Sequence, residues 1–174
     1  MKKQEVDHVL RAAGAITGEK QFVIIGSQSL HGRHPDLPDE IVMSAEVDLI
    51  AKVQPEKAES LSAVGVFSRF HESFGYYADP VDESTAILPK GWKSRLVNLA
   101  AGDTGGVTGL CLDPHDLAIA KYVVRRDQDV IFTRALATRG IVKKALLLEL
   151  VQKTPIDAMS QDRIRRFIDA DFAA

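Results

Sequence analysis

The sequence predicts a mixed α/β fold, a sheet flanked by helices and followed by a C-terminal helical bundle. Three observations carry this. Gln21-Phe22-Val23-Ile24-Ile25-Gly26 is an unbroken, β-branched apolar run, the pattern of a strand buried on both faces. Glu46-Val47-Asp48-Leu49-Ile50-Ala51 alternates acid and apolar residues, which puts Glu46 and Asp48 on one face of a strand and Val47 on the other. From Asp113 onward the pattern is helical. The order is sheet first and bundle second, so residues 1–112 are expected to form the α/β core and residues 113–174 a helical region packed on it.

In order along the chain, Val6, Val9, Leu10 and Ala13 recur at helical spacing, with Gly14 or Gly18 available to end that helix. Ser27 to Met43 is polar, holds Pro35 and Pro38, and reads as a short helical turn followed by a loop. Pro55 opens a helix through Leu61 and Val64 that Gly65 closes in the favoured C-terminal position. Gly75-Tyr76-Tyr77-Ala78, Thr85-Ala86-Ile87-Leu88 and Arg95-Leu96-Val97-Asn98-Leu99 read as short strands, and a glycine turn at Gly102, Gly105 and Gly106 precedes a last strand over 107–112. Asp113-Pro114-His115-Asp116 is a helix start: an Asp cap, Pro at the first position and an acid shortly after. Breaks are expected near Gly140 and at Thr154-Pro155, with Ser160 capping the last helix.

Composition narrows the class. The 174 residues are 45% hydrophobic and 26% charged, the profile of an ordinary globular protein. A net charge of −2 gives no general polyanion-binding surface. A single cysteine, Cys111, excludes an intrachain disulfide, and its apolar neighbours make it a buried packing residue. No run reaches membrane-spanning length and no signal-peptide apolar region opens the chain, so a cytoplasmic protein without membrane contact is expected.

Three features carry chemistry. Gly26-Ser27 ends a buried strand, where glycine lets a backbone approach phosphate and the serine hydroxyl and following N–H groups hold its oxygens. Taken alone, it fits simple turn geometry as well. Glu46 and Asp48 share a strand face, and two neighbouring carboxylates are ordinarily reconciled by a cation such as Mg²⁺, or by solvent at an exposed edge. In the helix after Pro114, Lys121, Arg125 and Asp129 lie at i, i+4 and i+8 and share a face if the helix is continuous. That face is either a set of solvated ion pairs or a cationic wall toward phosphate.

The order Gly26-Ser27, Glu46-x-Asp48, then a helix bearing Asp116, Lys121, Arg126 and Asp129, resembles the nucleotidyltransferase superfamily and its minimal nucleotidyltransferase-like mixed sheet. More narrowly, the chain is similar to small bacterial nucleotidyltransferase-like proteins near the AbiEii and Men-type toxins of toxin–antitoxin systems. The segments Gly75-Tyr76-Tyr77, Leu88-Pro89-x-Gly91-Trp92 and Leu112-x-Pro114-x-Asp116-Leu117 support this, and the likeness spans about residues 20 to 150. The resemblance implies Mg²⁺-dependent transfer of a nucleotide from an NTP to an acceptor hydroxyl on RNA, protein or a small molecule. Glu46 and Asp48 would be the catalytic metal ligands. Gly26, Ser27, Lys121, Arg126 and Asp129 would bind the nucleotide.

Two departures from the family pattern stand out. Eighteen residues (28–45) separate Ser27 from Glu46, and the first acid is Glu. The third carboxylate of active members has only Asp79 and Asp82 as candidates, both in a segment that also reads as a turn. The competing expectation is a non-catalytic member of the fold that binds nucleotide or a protein partner, such as a toxin–antitoxin component. A carboxylate placed beside Glu46 and Asp48 favours the enzyme, an apolar or basic residue there the binder. His31, His34 and Asp36 lack metal-ligand spacing and fall in an expected exposed loop; if that loop covers the nucleotide pocket, His31 and Arg33 can touch phosphate. Trp92 reads as a rim packing residue. Leu146, Leu147, Leu150 and Val151 form an apolar stripe for bundle core or a homodimer or partner interface.

Overall fold

The computed structural model describes residues 1–34, 36–38, 41, 43–51, 59–99 and 102–173. By contact they form two compact units, Met1–Thr85 with Leu96–Leu112, and Ala86–Arg95 with Asp113–Ala174.

The first unit is built on a five-stranded mixed sheet. Helix α1 (Lys3–Thr17) leads into β1 (Gln21–Ile25), followed by β2 (Glu46–Ala51), helix α2 (Arg69–Phe74), β3 (Tyr77–Val81), β4 (Val97–Asn98) and β5 (Thr108–Cys111). The strand order is β3-β2-β1-β5-β4. β1 runs antiparallel to β2 and parallel to β5, β2 is parallel to β3, and β4 is antiparallel to β5. One sheet face is the core. Phe22, Ile24, Val47, Leu49, Ala78 and Cys111 pack there with Val6, Val9, Leu10 and Ala13 of α1. Each fully buried aliphatic side chain of this kind contributes about 1.5–3 kcal/mol. α1 ends where Gly18 takes φ 74°, a left-handed conformation that costs glycine nothing, and its N–H returns to Gly14 O. The helix thus runs through Gly14, the other stop signal in the sequence.

Several elements differ from the sequence expectation. Residues 85–88 form no strand: Glu83–Thr85 is a 3₁₀ turn, fixed by Asp82, whose carboxylate accepts from Ser84 N–H and Oγ–H. Leu61–Val64 is 3₁₀ and its cap Gly65 is extended rather than left-handed. Pro55 and Pro35 lie outside the described residues. Strands β1, β2 and β5 sit where the apolar patterns placed them and β4 shortens to two residues, whereas β3 runs later than the expected 75–78 and takes in Asp79-Pro80-Val81, the segment that also reads as a turn. Cys111 is fully buried, and desolvation pushes its thiol up to about 12.

The second unit is helical: α3 (Pro114–Val124), α4 (Asp127–Thr138), α5 (Lys144–Gln152) and α6 (Ala158–Asp171). Asp113 caps α3, accepting from His115 N–H at 2.9 Å. The last helix is capped by Asp157 instead of Ser160; Ser160 donates both its N–H and its hydroxyl to that carboxylate. Leu147, Leu150 and Val151 are core, as the stripe predicted, and Leu146 is half-buried. Among the described residues no helix is long and apolar enough to cross a membrane.

Candidate active site

Strand β1 ends at Ile25, and Gly26 turns the chain into a 3₁₀ helix, Ser27–Gly32. Gly26 has φ 68° and ψ −169°, a conformation essentially reserved for glycine. A Cβ there would collide with the Asp48 carboxylate. Glycine is therefore required twice, by the backbone and by the acid lying over it. Ser29 holds the turn, donating its hydroxyl to Gly26 O at 2.7 Å. The Ser27 and Ser44 hydroxyls are 3.0 Å apart, and Gln28 Nε2 donates to Ser44 Oγ and Ser44 O. Ser44 stands two residues before β2, so this small network ties the Gly26-Ser27 turn to the strand carrying the acids. The sequence reading did not single out Ser44 or Gln28; each looks like an ordinary loop polar residue.

Register then assembles the acids. In the β1–β2 ladder Ile25 faces Asp48, and in the β2–β3 ladder Glu46 faces Tyr77 and Asp48 faces Asp79. Paired residues on adjacent strands share a sheet face. Val47, Leu49 and Ala78 occupy the core face, so Glu46, Asp48, Asp79 and Tyr77 all stand on the opposite one, each half-buried. Asp79 is thus the carboxylate beside Asp48, whereas exposed Asp82 is spent on its own turn. The electrostatics agree with this placement. Burial raises the Tyr77 phenol, and so do the fields of Glu46, Asp79 and Asp48 and a hydrogen bond with Glu46. The sequence places Tyr77 on a strand and within the Gly75-Tyr76-Tyr77 segment of the family likeness, but nothing in a Tyr-Tyr pair tells which ring faces the acids.

Among the described residues no group of three or more His, Cys, Asp or Glu side chains converges to hold a metal ion alone. Mg²⁺, however, is commonly held by one or two carboxylates together with substrate phosphates and water. Glu46 and Asp48 supply such hard oxygen donors on one face, next to a turn suited to phosphate.

The remaining expected site residues lie in the second unit. The helix carrying them is not continuous: α3 ends at Val124, Arg125 takes a left-handed φ of 56°, and Arg126 caps α4. Lys121 still meets Asp129 (3.2 Å), across the break, and its ammonium lies over the Phe132 ring. Asp129 is buried and accepts from Arg126 N–H at 3.0 Å, so it caps α4 while pairing with Lys121. Asp116 is fully buried and bound at both oxygens by Arg95, at 2.7 and 2.8 Å. Arg95 also donates to the carbonyls of Pro89 and Lys90, which makes Asp116 the anchor of the Leu88–Trp92 segment. Arg125 reaches Thr133 and buried Asp171, which also accepts from Tyr122 and Thr133. His31 is a correction: it is buried, with Nε2 3.0 Å from Met1 O, and is no part of an exposed loop.

A sheet with a glycine–serine turn at the end of one strand and acids ranked on the next two is the class of architecture seen in nucleotidyltransferases. The chain belongs to the family described as nucleotidyltransferase of unknown function (DUF6036), whose model matches residues 4–172. Neither the curated proteins nor the solved structures contain a match.

Proposed function

We propose that this protein transfers a nucleotide from an NTP to an acceptor hydroxyl in a Mg²⁺-dependent reaction. The observation that carries the proposal is Asp79 paired with Asp48 on the face that also bears Glu46 and borders the Gly26 turn. A third acid in that position favours an enzyme over a non-catalytic binder, which has no need to gather like charges. In this reading the Gly26-Ser27 turn receives the triphosphate, and Glu46 and Asp48 hold the cation, which neutralises phosphate charge when bound. Asp79 accepts the proton of the attacking hydroxyl. The acceptor oxygen bonds to the α-phosphorus, the bond from that phosphorus to the bridging oxygen breaks, and pyrophosphate leaves with the electron pair.

The proposal rests on the first unit alone. Lys121 is engaged by Asp129 and Phe132 within its own unit, and its nucleotide-binding role is tested separately by Lys121→Ala. The narrower kinship to AbiEii and Men-type toxins is part of the same proposal. It predicts that expressing the protein slows growth and that Glu46→Gln does not.

The test is incubation with α-labelled NTPs, Mg²⁺, and tRNA or no added acceptor. Labelled product that disappears with EDTA, with Glu46→Gln and with γ-labelled NTP is the expected result. Calorimetry finding no NTP binding at millimolar concentration with Mg²⁺ would overturn the proposal.

A further inference from the structure

Between β2 and β3 the chain makes a tight turn, Gly65-Val66-Phe67-Ser68, closed by Ser68 N–H to Gly65 O at 3.2 Å. Its third residue has φ > 0, the place turn chemistry gives to glycine or asparagine. Here it is Phe67, at φ 60° and 85% exposed. A bulky residue in that conformation is strained, and an exposed phenyl ring gains nothing from burial to offset it. The strain is nevertheless held in place: Phe67 N–H donates to His71 Nδ1 at 3.1 Å. The His71 ring stands 6.4 Å from that of Phe67 and 4.6 Å from that of Tyr77, which lies opposite Glu46 in the β2–β3 ladder. A line of rings therefore runs from the acids to an exposed phenyl group.

The side of the site matters. In-line displacement sends pyrophosphate away on one side of the α-phosphorus and brings the attacking oxygen from the other. If the Gly26-Ser27 turn at β1 holds the leaving phosphates, the acceptor arrives from the side of β3, which carries Asp79 and Tyr77. Phe67 and His71 lie on that side. We propose that Phe67, backed by His71 and Tyr77, is a stacking platform for the bases next to the reacting end of a single-stranded oligonucleotide acceptor. Stacking on an exposed aromatic ring is tolerant of base identity, and the exposed Arg69 two residues on offers positive charge for the phosphodiester. This inference rests on the nucleotidyltransferase reading and names its acceptor class.

The test is fluorescence anisotropy of the full chain with Mg²⁺ and a short labelled RNA with a free 3′ hydroxyl, and with the DNA of the same sequence. Phe67→Ala should weaken binding of the preferred strand roughly five- to a hundredfold. Phe67→Trp should retain binding and Phe67→Leu should not, which separates stacking from simple apolar contact. Phe67→Gly suits the turn, so it should bind as poorly as Phe67→Ala while melting no lower than wild type. NTP affinity, measured by calorimetry, should be the same in all four variants. Wild-type protein that binds neither strand, Phe67→Ala that binds as wild type, or label transferred only to protein would overturn the inference. A wild type that binds the oligonucleotide through Phe67 but no NTP would instead sink the nucleotidyltransferase reading and leave the platform standing.

Discussion

Gly26→Ala is the sharpest probe of the site's geometry. At φ 68° and ψ −169° an alanine pays the strain of a backbone region that only glycine enters freely, about 1–3 kcal/mol. Its Cβ also meets the Asp48 carboxylate, which must rotate away from its rotamer at roughly 0.5–1.5 kcal/mol. The total is about 2–4 kcal/mol, a fall in Tm on the order of 5–15 °C for a chain of this size. Thermal unfolding followed by circular dichroism measures the whole cost, and the Asp48→Ala background isolates its second part. There the backbone strain remains but the collision is gone, so Gly26→Ala should cost about 0.5–1.5 kcal/mol less than in wild type. If the proposed function holds, the same substitution should abolish Mg²⁺–NTP binding, because it fills the turn proposed to receive phosphate and displaces Asp48, a proposed metal ligand. A Gly26→Ala protein within about 0.5 kcal/mol of wild type, additive with Asp48→Ala, would refute the account of why glycine stands there.

Asp79→Asn removes a like charge beside Asp48, so the metal-free protein should gain roughly 0.2–1 kcal/mol while nucleotide transfer is lost; a thermal melt and the labelled-NTP assay read the two effects. Arg95→Ala leaves wholly buried Asp116 without its counter-charge and should cost about 3 kcal/mol in urea denaturation. Arg95→Lys should recover less than half of that, since an ammonium cannot span both carboxylate oxygens. Burial pushes the Cys111 thiol from an ordinary value of 9.0 up to about 12, so the thiol form is favoured by folding. Its contribution is complete below pH 9 and fades as pH rises toward 12, by about 1.4 kcal/mol at pH 10; Cys111→Ala should show a correspondingly shallower alkaline decline in denaturation curves.

Strands β1 and β2 and their faces were legible because burial writes itself into the residue patterns along them. Phe22 and Ile24 against Val47 and Leu49 is a core that Glu46 and Asp48 cannot join, and the sequence says so directly. Asp79 was visible only as one of two candidates. What separates it from Asp82 is the pairing of β3 with β2, a non-local fact that no local spacing encodes. The i, i+4, i+8 spacing from Lys121 to Asp129 suggested one helical face, yet Arg125 adopts a left-handed conformation and ends the helix. No glycine or proline marks that break. The stop is instead supported by tertiary partners, with the Arg125 guanidinium over the Tyr122 and Phe167 rings and bonded to Thr133. His31 was misplaced for a related reason: beside Gly32 and Pro35 it looks like loop, whereas it lies in the Ser27–Gly32 3₁₀ helix and meets Met1, thirty residues earlier in the chain.

The acids of the site cannot set their own register, because Asp48 and Asp79 repel. The register is set from the other face of the sheet, where Ala78 lies opposite Val47 and both are buried against α1 and the 3₁₀ turn at Leu61–Val64. A slip of one residue would carry Asp79 into that apolar layer and expose Ala78, which burial forbids. Parallel pairing of β2 with β3 adds a second constraint: the chain must cross over before it returns, so a connection of some length is obligatory. In this protein the crossover contains α2 and the Phe67 turn. His71 of α2 packs on Tyr77, and Ser68 caps the helix through His71 N–H. The segment that the topology requires in order to align Asp79 with Asp48 therefore also carries the Phe67 ring, linked to Tyr77 on the acid face through His71. Core packing of Ala78 and Val47 with Leu61 and Val64 of the crossover thus accounts for the gathered charges, which are not favourable by themselves.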